Sequence, residues 1–233
     1  KWLILNSPSN PTGACYSEQE IKNLAMVLKR NPHVNILSDD IYEHVVYDNF
    51  KFFTIAQVPE LKNKVVTMNG VSKSYAMTGW RIGYAAGPLK IIKAMAKIQG
   101  QATSCANSIG QKAAIAALSG DQSCVEEMKF KFLRRRDLII ELLNDLSGVT
   151  CSIPDGAFYV FPSFKAFLNK KANGKILKDT FDISQYILEA VSVVTVPGDG
   201  FGAPGYIRFS YAASSETIKK GIRRVKTALD KIT

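Results

Sequence analysis

Apolar residues gather along this chain in two rhythms, one of strand type and one of helix type. Trp2-Leu3-Ile4-Leu5 is a short continuous apolar run that reads as a buried strand, and Pro8, Pro11 and Gly13 then force an extended loop. Ser17 followed three residues later by Glu20 forms a capping box, and Ile21, Leu24, Ala25 and Leu28 recur behind it at helical spacing. Residues 34–37, 65–68 and 81–85 read as three further strands, closed by Ser38-Asp39-Asp40, Asn69-Gly70 and Gly87-Pro88. Strand, helix, then further strands is an α/β pattern, in which ligands collect at the carboxyl ends of strands. The first strand has no cap, helix or turn before it, so an upstream segment is expected.

Residues 89–118 read as helix interrupted near Gly100 and Gly110, and 122–146 as one long helix. In the latter, Val125, Met128, Phe132, Ile139, Leu142 and Leu146 recur at spacings of three, four and seven. Its triplet Arg134-Arg135-Arg136 is expected to face solvent, with the stems lying over neighbours. After Gly148 the pattern changes to short strands at 149–152 and 157–161, then a polar segment, 165–182, holding Asn173-Gly174. A helix at 183–189, a strand at 192–196, a glycine-rich loop, a strand at 206–211 and a helix carrying Ile218, Ile222, Val225 and Leu229 complete the chain. The expected domains are an α/β part over 1–118, a linking helix over 119–148 and a smaller α+β part over 149–233.

Composition narrows the function classes. The net charge of +10 is diffuse, +6 within residues 1–120 and +4 within 121–233, and its tight clusters lack interleaved aromatics, which argues against nucleic acid. No apolar run reaches membrane-spanning length and the start has no signal-peptide pattern, so a cytoplasmic protein without a membrane partner is expected. Cys15, Cys105, Cys124 and Cys151 match no metal or redox spacing, and neither do His33 and His44, so no metal is expected. The cysteines suggest a reducing compartment, although four could form two disulfides. Gly200-Phe201-Gly202-Ala203-Pro204-Gly205 has dinucleotide-fingerprint spacing, but a strand-like segment follows it where that fold needs a helix.

Chemistry-bearing residues fall at the ends of the expected strands. They are Asn10 beside Pro11 and Gly13, Asp39 and Tyr42 just past the second strand, Lys73 after the third, Arg81 eight residues later, and Arg208 between aromatics. Taken singly, each is more simply a solvated charge or a cap. Together they supply what pyridoxal phosphate requires: an amine to form an imine, a carboxylate for the pyridine nitrogen, donors for the phenolic oxygen and an arginine for the phosphate. A second arginine suits a substrate carboxylate through its fork of donors.

The segments NSPSNPTG (6–13), SDDIYEH (38–44), NGVSKSYAMTGWRIGYAAGP (69–88) and YIRFSYAAS (206–214), in that order, resemble the fold-type I, class I aminotransferases that use pyridoxal phosphate, bacterial aspartate aminotransferases above all. The resemblance runs over essentially the whole chain but covers only the C-terminal three-fifths of the family's length. It implies an α/β fold with an incomplete large-domain mixed sheet plus a smaller C-terminal α+β domain. By the same resemblance Lys73 is the imine-forming lysine and proton shuttle, and Asp39 pairs with the pyridine nitrogen. Asn10 and Tyr42 bond the phenolic oxygen, Arg81 binds the phosphate, and Arg208, with Asn10, holds the substrate carboxylate. The glycine-rich loop helps to position Arg208. The implied activity is ping-pong transfer of an amino group between an L-amino acid and a 2-oxo acid, aspartate and 2-oxoglutarate first, in a homodimer at full length. Aromatic, alanine or prephenate specificity, a lyase of the same fold, and a non-catalytic fragment are the alternatives. Some relatives carry a phosphate-binding serine where this chain has Gly70, a role that Ser72 could fill.

Overall fold

The computed structural model describes residues 1–233 and divides into two compact units. Lys1–Ser9 with Ala14–Lys129 form the first, and Asn10–Gly13 with Phe130–Thr233 the second. Short as it is, the segment 10–13 is thus assigned apart from its flanks.

The first unit holds a four-stranded mixed sheet of Trp2–Asn6 (β1), Asn35–Asp39 (β2), Val65–Gly70 (β3) and Gly83–Ala86 (β4), in the order β1-β2-β3-β4. The first three strands are parallel and β4 is antiparallel to β3. Glu18–Lys29 (α1) crosses from β1 to β2 and begins on the capping box, Ser17 and Glu20 satisfying each other's backbone donors. Its buried residues Ile21, Ala25 and Leu28 meet Leu5, Ile36, Ile55, Leu61 and Val65 in one apolar core. β2 and β3 are registered from Ile36↔Val65 to Asp39↔Met68, and β3 continues two residues further to Gly70, paired there with β4.

Leu89–Ala102 (α2) and Ser108–Ser119 (α3) follow. The break between them is not at either glycine. Gly100 lies inside α2, and Gly110 lies in the first turn of α3. The chain turns at Ser104, in the left-handed region at φ 62°, and restarts where the Asn107 side chain accepts the Gly110 N–H at 2.6 Å. Gly110 serves this cap, since a Cβ there would lie 2.8 Å from the Asn107 amide.

Ser123–Asn144 (α4) is continuous, and the division between the units falls within it. In the second unit the arginine triplet departs from expectation. Arg136 is 4% exposed, its Nε and Nη2 donating to Asp137 Oδ1 at 2.9 and 2.8 Å and its Nη1 to the Pro154 carbonyl at 3.3 Å. An adjacent carboxylate and a carbonyl supply the charge and hydrogen-bond compensation that burial demands. Tyr159–Val160 (β5) and Val196–Pro197 (β8) flank Ile207–Ser210 (β9) in a small antiparallel sheet. The strand expected at 149–152 reduces to a single bridge, Thr150↔Ser163, because Pro154 and Pro162 remove ladder donors. The strand expected at 192–196 likewise shortens, since Ser192 adopts the left-handed conformation that caps the preceding helix.

That helix, Thr180–Val191 (α5), starts on an Asp179 cap, and Ser215–Leu229 (α6) on a Ser214 cap. Lys171–Ala172 (β6) and Lys175–Ile176 (β7) form a hairpin about Asn173-Gly174, both at positive φ as a tight primed turn requires. Ile218, Ile222, Val225 and Leu229 are buried from α6, as their spacing predicts. No helix is long and apolar enough to cross a membrane, and no three His, Cys, Asp or Glu are grouped to hold a metal. All four cysteines are free thiols.

Candidate active site

In the first unit, three of the predicted residues stand where β2 and β3 end. Asp39 is the last residue of β2, and its carbonyl accepts the Asn6 Nδ2–H from β1 at 3.1 Å. Its carboxylate accepts the Ile41 N–H at 3.3 Å, which curls the chain into a turn. Burial pushes the Asp39 carboxyl above its usual range, with the Ile41 N–H and the charge of Lys73 acting in the opposite direction. Asp40, 4% exposed, bonds the Ser38 hydroxyl at 2.6 Å, and burial raises its carboxyl too, against hydrogen bonds from Ser38 and Thr54. The two neighbouring acids therefore face in different ways: Asp40 anchors the turn, and Asp39 meets the lysine.

Tyr42 is buried at 4% exposure in the same turn, and the Lys73 Nζ lies 6.0 Å from its ring centroid. Lys73 itself stands in the turn after β3, partly buried. That loop continues through Ala76 at φ 52° to Arg81 at φ 57°, ψ 45°, so Arg81 is a left-handed cap and not the strand residue its neighbours suggest. Arg81 donates from Nη1 to the Thr78 carbonyl at 3.0 Å while its guanidinium stays exposed, a fixed cation on a short bent loop. Gly70 is enforced by packing: a Cβ would lie 2.9 Å from the Ile82 carbonyl oxygen and 3.1 Å from the Gly83 Cα. A serine does not fit there without backbone movement.

In the second unit, Asn10 and Arg208 meet directly. The Arg208 Nη1 donates to Asn10 Oδ1 at 2.6 Å, and the guanidinium carbon lies 4.6 Å from the Tyr159 ring centroid and 5.5 Å from that of Phe201. Its Nε is buried without a hydrogen-bond partner. A buried, unpaired guanidinium donor costs stability, and an anion is what repays it. The segment carrying Asn10 is locked by Gly13, whose carbonyl accepts the Gly156 N–H at 2.8 Å. A Cβ at Gly13 would lie 2.5 Å from Pro154 Cβ, and its φ of +70° also favours glycine.

The glycine-rich loop reaches Arg208 through Phe201. Gly198–Phe201 forms a helical turn pinned by Asp199, whose carboxylate accepts the Thr180 N–H at 3.0 Å and also bonds the Thr180 hydroxyl. The strand β9 then follows, so this loop opens no nucleotide-binding helix.

Sequence reasoning did not single out Tyr159, Phe201, Glu43 or Asn69. Asn69 Nδ2 donates to Glu43 Oε1 at 2.5 Å, and Asn69 Oδ1 accepts the Gly70 N–H at 2.7 Å. Glu43 and Asn69 lay within the motifs, but only the ladder register brings them together. Tyr159 and Phe201 carry no such signal, because aromatics in an apolar stretch read as core.

Comparison with known proteins gives the same description along the length of the chain. The family model for aminotransferase class I and II matches residues 1–225. An aspartate aminotransferase of Rhizobium meliloti (strain 1021) is 50% identical over 235 residues, covering 100% of this chain and 57% of its own length. A probable aspartate/prephenate aminotransferase of Rhizobium leguminosarum bv. phaseoli is 51% identical over 97% of this chain and 57% of its own length. Among solved structures, the aspartate aminotransferase from Rhizobium meliloti superposes with a TM-score of 0.94 at 50% identity, covering 100% of this chain and 58% of that one. An aromatic aminotransferase from Pyrococcus horikoshii OT3 gives 0.89 at 35% identity, covering 99% and 60%. The chain thus spans somewhat under three-fifths of the length of the curated relatives it matches, and it belongs to the class I and II aminotransferase family.

Proposed function

We propose that the protein is a pyridoxal-phosphate-dependent aminotransferase exchanging an amino group between an L-amino acid and a 2-oxo acid, with aspartate and 2-oxoglutarate as the pair. The observation that carries this is Asp39. Its carboxylate is desolvated, and one N–H and the charge of Lys73 offset that only in part. Such a group calls for a further cationic donor, and a pyridinium N–H is one. The buried, unpaired Nε of Arg208 makes the matching demand for an anion. The residues present therefore fit the cofactor.

When bound, pyridoxal phosphate supplies an electron sink that acidifies the substrate Cα–H. Asp39 would pair with the ring nitrogen and favour its protonated form. Tyr42 would offer its hydroxyl to the phenolic oxygen, and the resemblance gives the same role to Asn10, whose Oδ1 accepts from Arg208. Arg81 binds the phosphate as a cation already fixed by Thr78. Lys73 would be the amine that holds the cofactor, and its Nζ the base that accepts the substrate Cα proton. Arg208 receives the substrate α-carboxylate, its plane set by Tyr159 and Phe201. Residues 1–118 are accordingly the portion of the cofactor-binding domain, 119–148 the linking helix and 149–233 the smaller domain. At full length we place the protein as a homodimer, which the apolar side chains exposed on α2 and α3, Leu89, Ile98 and Ile109 among them, support.

The names of the Rhizobium leguminosarum and Rickettsia relatives, probable aspartate/prephenate aminotransferases, favour prephenate as a second amino acceptor. The test is an assay of the full-length protein with aspartate and either 2-oxoglutarate or prephenate, following oxaloacetate. Borohydride should fix pyridoxal phosphate to Lys73, as read by peptide mass. Lys73→Ala should lower turnover by at least about 10⁴-fold while cofactor still binds. Turnover near the wild-type rate in that variant overturns the assignment, and release of an oxo acid without amino transfer points to a lyase instead.

A further inference from the structure

We propose that Glu43 and Asn69 form a clasp that fixes the loop bearing Lys73 against the turn bearing Asp39 and Tyr42, and that both are positioning residues for the lysine. This role rests on the aminotransferase function proposed above.

The need for such a clasp comes from the sheet. β2 and β3 are held in register by a parallel ladder that runs out at Asp39↔Met68, and the Asp40 N–H to Met68 carbonyl bond of 3.0 Å is its backbone terminus. Tyr42 and Lys73 lie beyond that point, Tyr42 three residues after Asp39 and Lys73 five after Met68. Past the end of a ladder, two loops keep their spacing only through side chains, and a shift of about 1 Å in a reacting group can cost on the order of 10²-fold in rate.

Asn69 supplies the connection with both ends of its amide. Oδ1 accepts the Gly70 N–H at 2.7 Å, which fixes the amide's orientation and turns Nδ2 outward. Nδ2 then donates to Glu43 Oε1 at 2.5 Å, an oxygen that also lies 3.4 Å from the His44 Nε2. Glu43 is tied to its own turn by its N–H, which donates to the Asp40 carbonyl at 2.9 Å. A chain of hydrogen bonds thus runs from Asp40 through Glu43 and Asn69 to Gly70, three residues before Lys73. Charge-assisted bonds of this kind are about twice as strong as neutral ones. Donor and acceptor are both specified: a carboxylate can only accept here, so residue 69 must donate.

That requirement gives the test. Asn69→Asp keeps an acceptor for the Gly70 N–H but removes the donor and sets two carboxylates face to face. Adding Glu43→Gln restores a donor from the opposite side. In the full-length holoenzyme, Asn69→Asp should lower kcat by about 10- to 100-fold. The KM for aspartate should move much less, since Arg208 is untouched. The double variant should recover most of the loss. Hydrogen exchange of the 69–74 segment in the cofactor-free protein should quicken in Asn69→Asp and slow again in the double variant, whatever the protein's activity. If Asn69→Asp does not fold, Glu43→Ala removes the acceptor and should show the same kcat loss and quickened exchange. Wild-type kcat and exchange in the single variants, or a double variant no better than Asn69→Asp, overturns the clasp. A wild-type protein whose Lys73 takes no pyridoxal phosphate overturns the aminotransferase function, while exchange still decides the clasp.

Discussion

Lys73 and Arg208 are placed by opposite means. Lys73 stands on a loop past the end of a parallel strand, with the Asp39 carboxylate and the Tyr42 ring near it. Arg208 sits within a strand, between Tyr159 and Phe201, with one nitrogen held by Asn10. In the proposed function Lys73 moves protons and gains from titratable partners, whereas Arg208 grips an anion and gains from stiffness. Aromatic faces orient a guanidinium without consuming its in-plane donors, so the fork stays available. The difference between the two units is thus one between adjustable charge and rigid geometry.

Several substitutions separate these two modes. The largest effect is expected from Asp39→Asn, which should cost on the order of 10²–10³-fold in kcat of the full-length enzyme. Stability should move the other way. Burial raises the Asp39 carboxyl in the folded state, so the folded protein holds that proton more tightly than the unfolded chain, and stability falls as pH rises from about 3.9 through the raised value. At neutral pH the ionised group is a cost, and Asn removes it. Thermal melts of the cofactor-free protein should show a higher Tm for the variant at pH 7 and no gain below about pH 3.9. A Tm lowered at pH 7 would mean that Asp39 is a stabilising ion-pair member rather than a group held ready for a cofactor.

Arg208→Lys keeps the charge and loses the stacked fork. It should raise the KM for aspartate by about 10- to 100-fold with a smaller change in kcat, measured by steady-state kinetics. Gly70→Ser, which brings in the residue some relatives carry, should cost about 1–3 kcal/mol because the obstacle is backbone, and a denaturant midpoint reads it. The smallest effect is expected from Phe201→Ala: a loss of about 0.5–1 kcal/mol of cation–π contact, seen as a few-fold rise in KM.

Much of this was legible in the chain because local chemistry decided it. Ser17 and Glu20 announce α1, the α6 stripe announces its buried face, and Asp39 and Lys73 sit where strands run out. The failures arise where a side chain's partner or its backbone conformation, rather than its type, decides. Arg136 looks like a solvent-facing cation until Pro154, eighteen residues on, offers a carbonyl. Gly110 looks like a helix breaker until the Asn107 cap shows it to be the start of one. Arg81 looks like the first residue of a strand, but the left-handed backbone that aims it is not written in its side chain. The aromatic pair about Arg208 is invisible for a different reason, since nothing distinguishes a ring that packs in a core from a ring that carries a cation.

The assignment of Asn10–Gly13 to the second unit has a consequence for how the protein is made. Asn10 and Arg208 are 198 residues apart in sequence, so the pair proposed to hold the substrate carboxylate is joined by a contact of very long range. On a ribosome Asn10 emerges 198 residues before its arginine. The closure entropy of so long a loop grows only slowly with its length, but the contact can form only once those 198 residues have been made. A gene fragment beginning at residue 130 would encode the arginine and its aromatic walls without Asn10 or the Gly13 carbonyl that Gly156 uses. The second unit is therefore not a cassette that a fragment starting at residue 130 would carry whole.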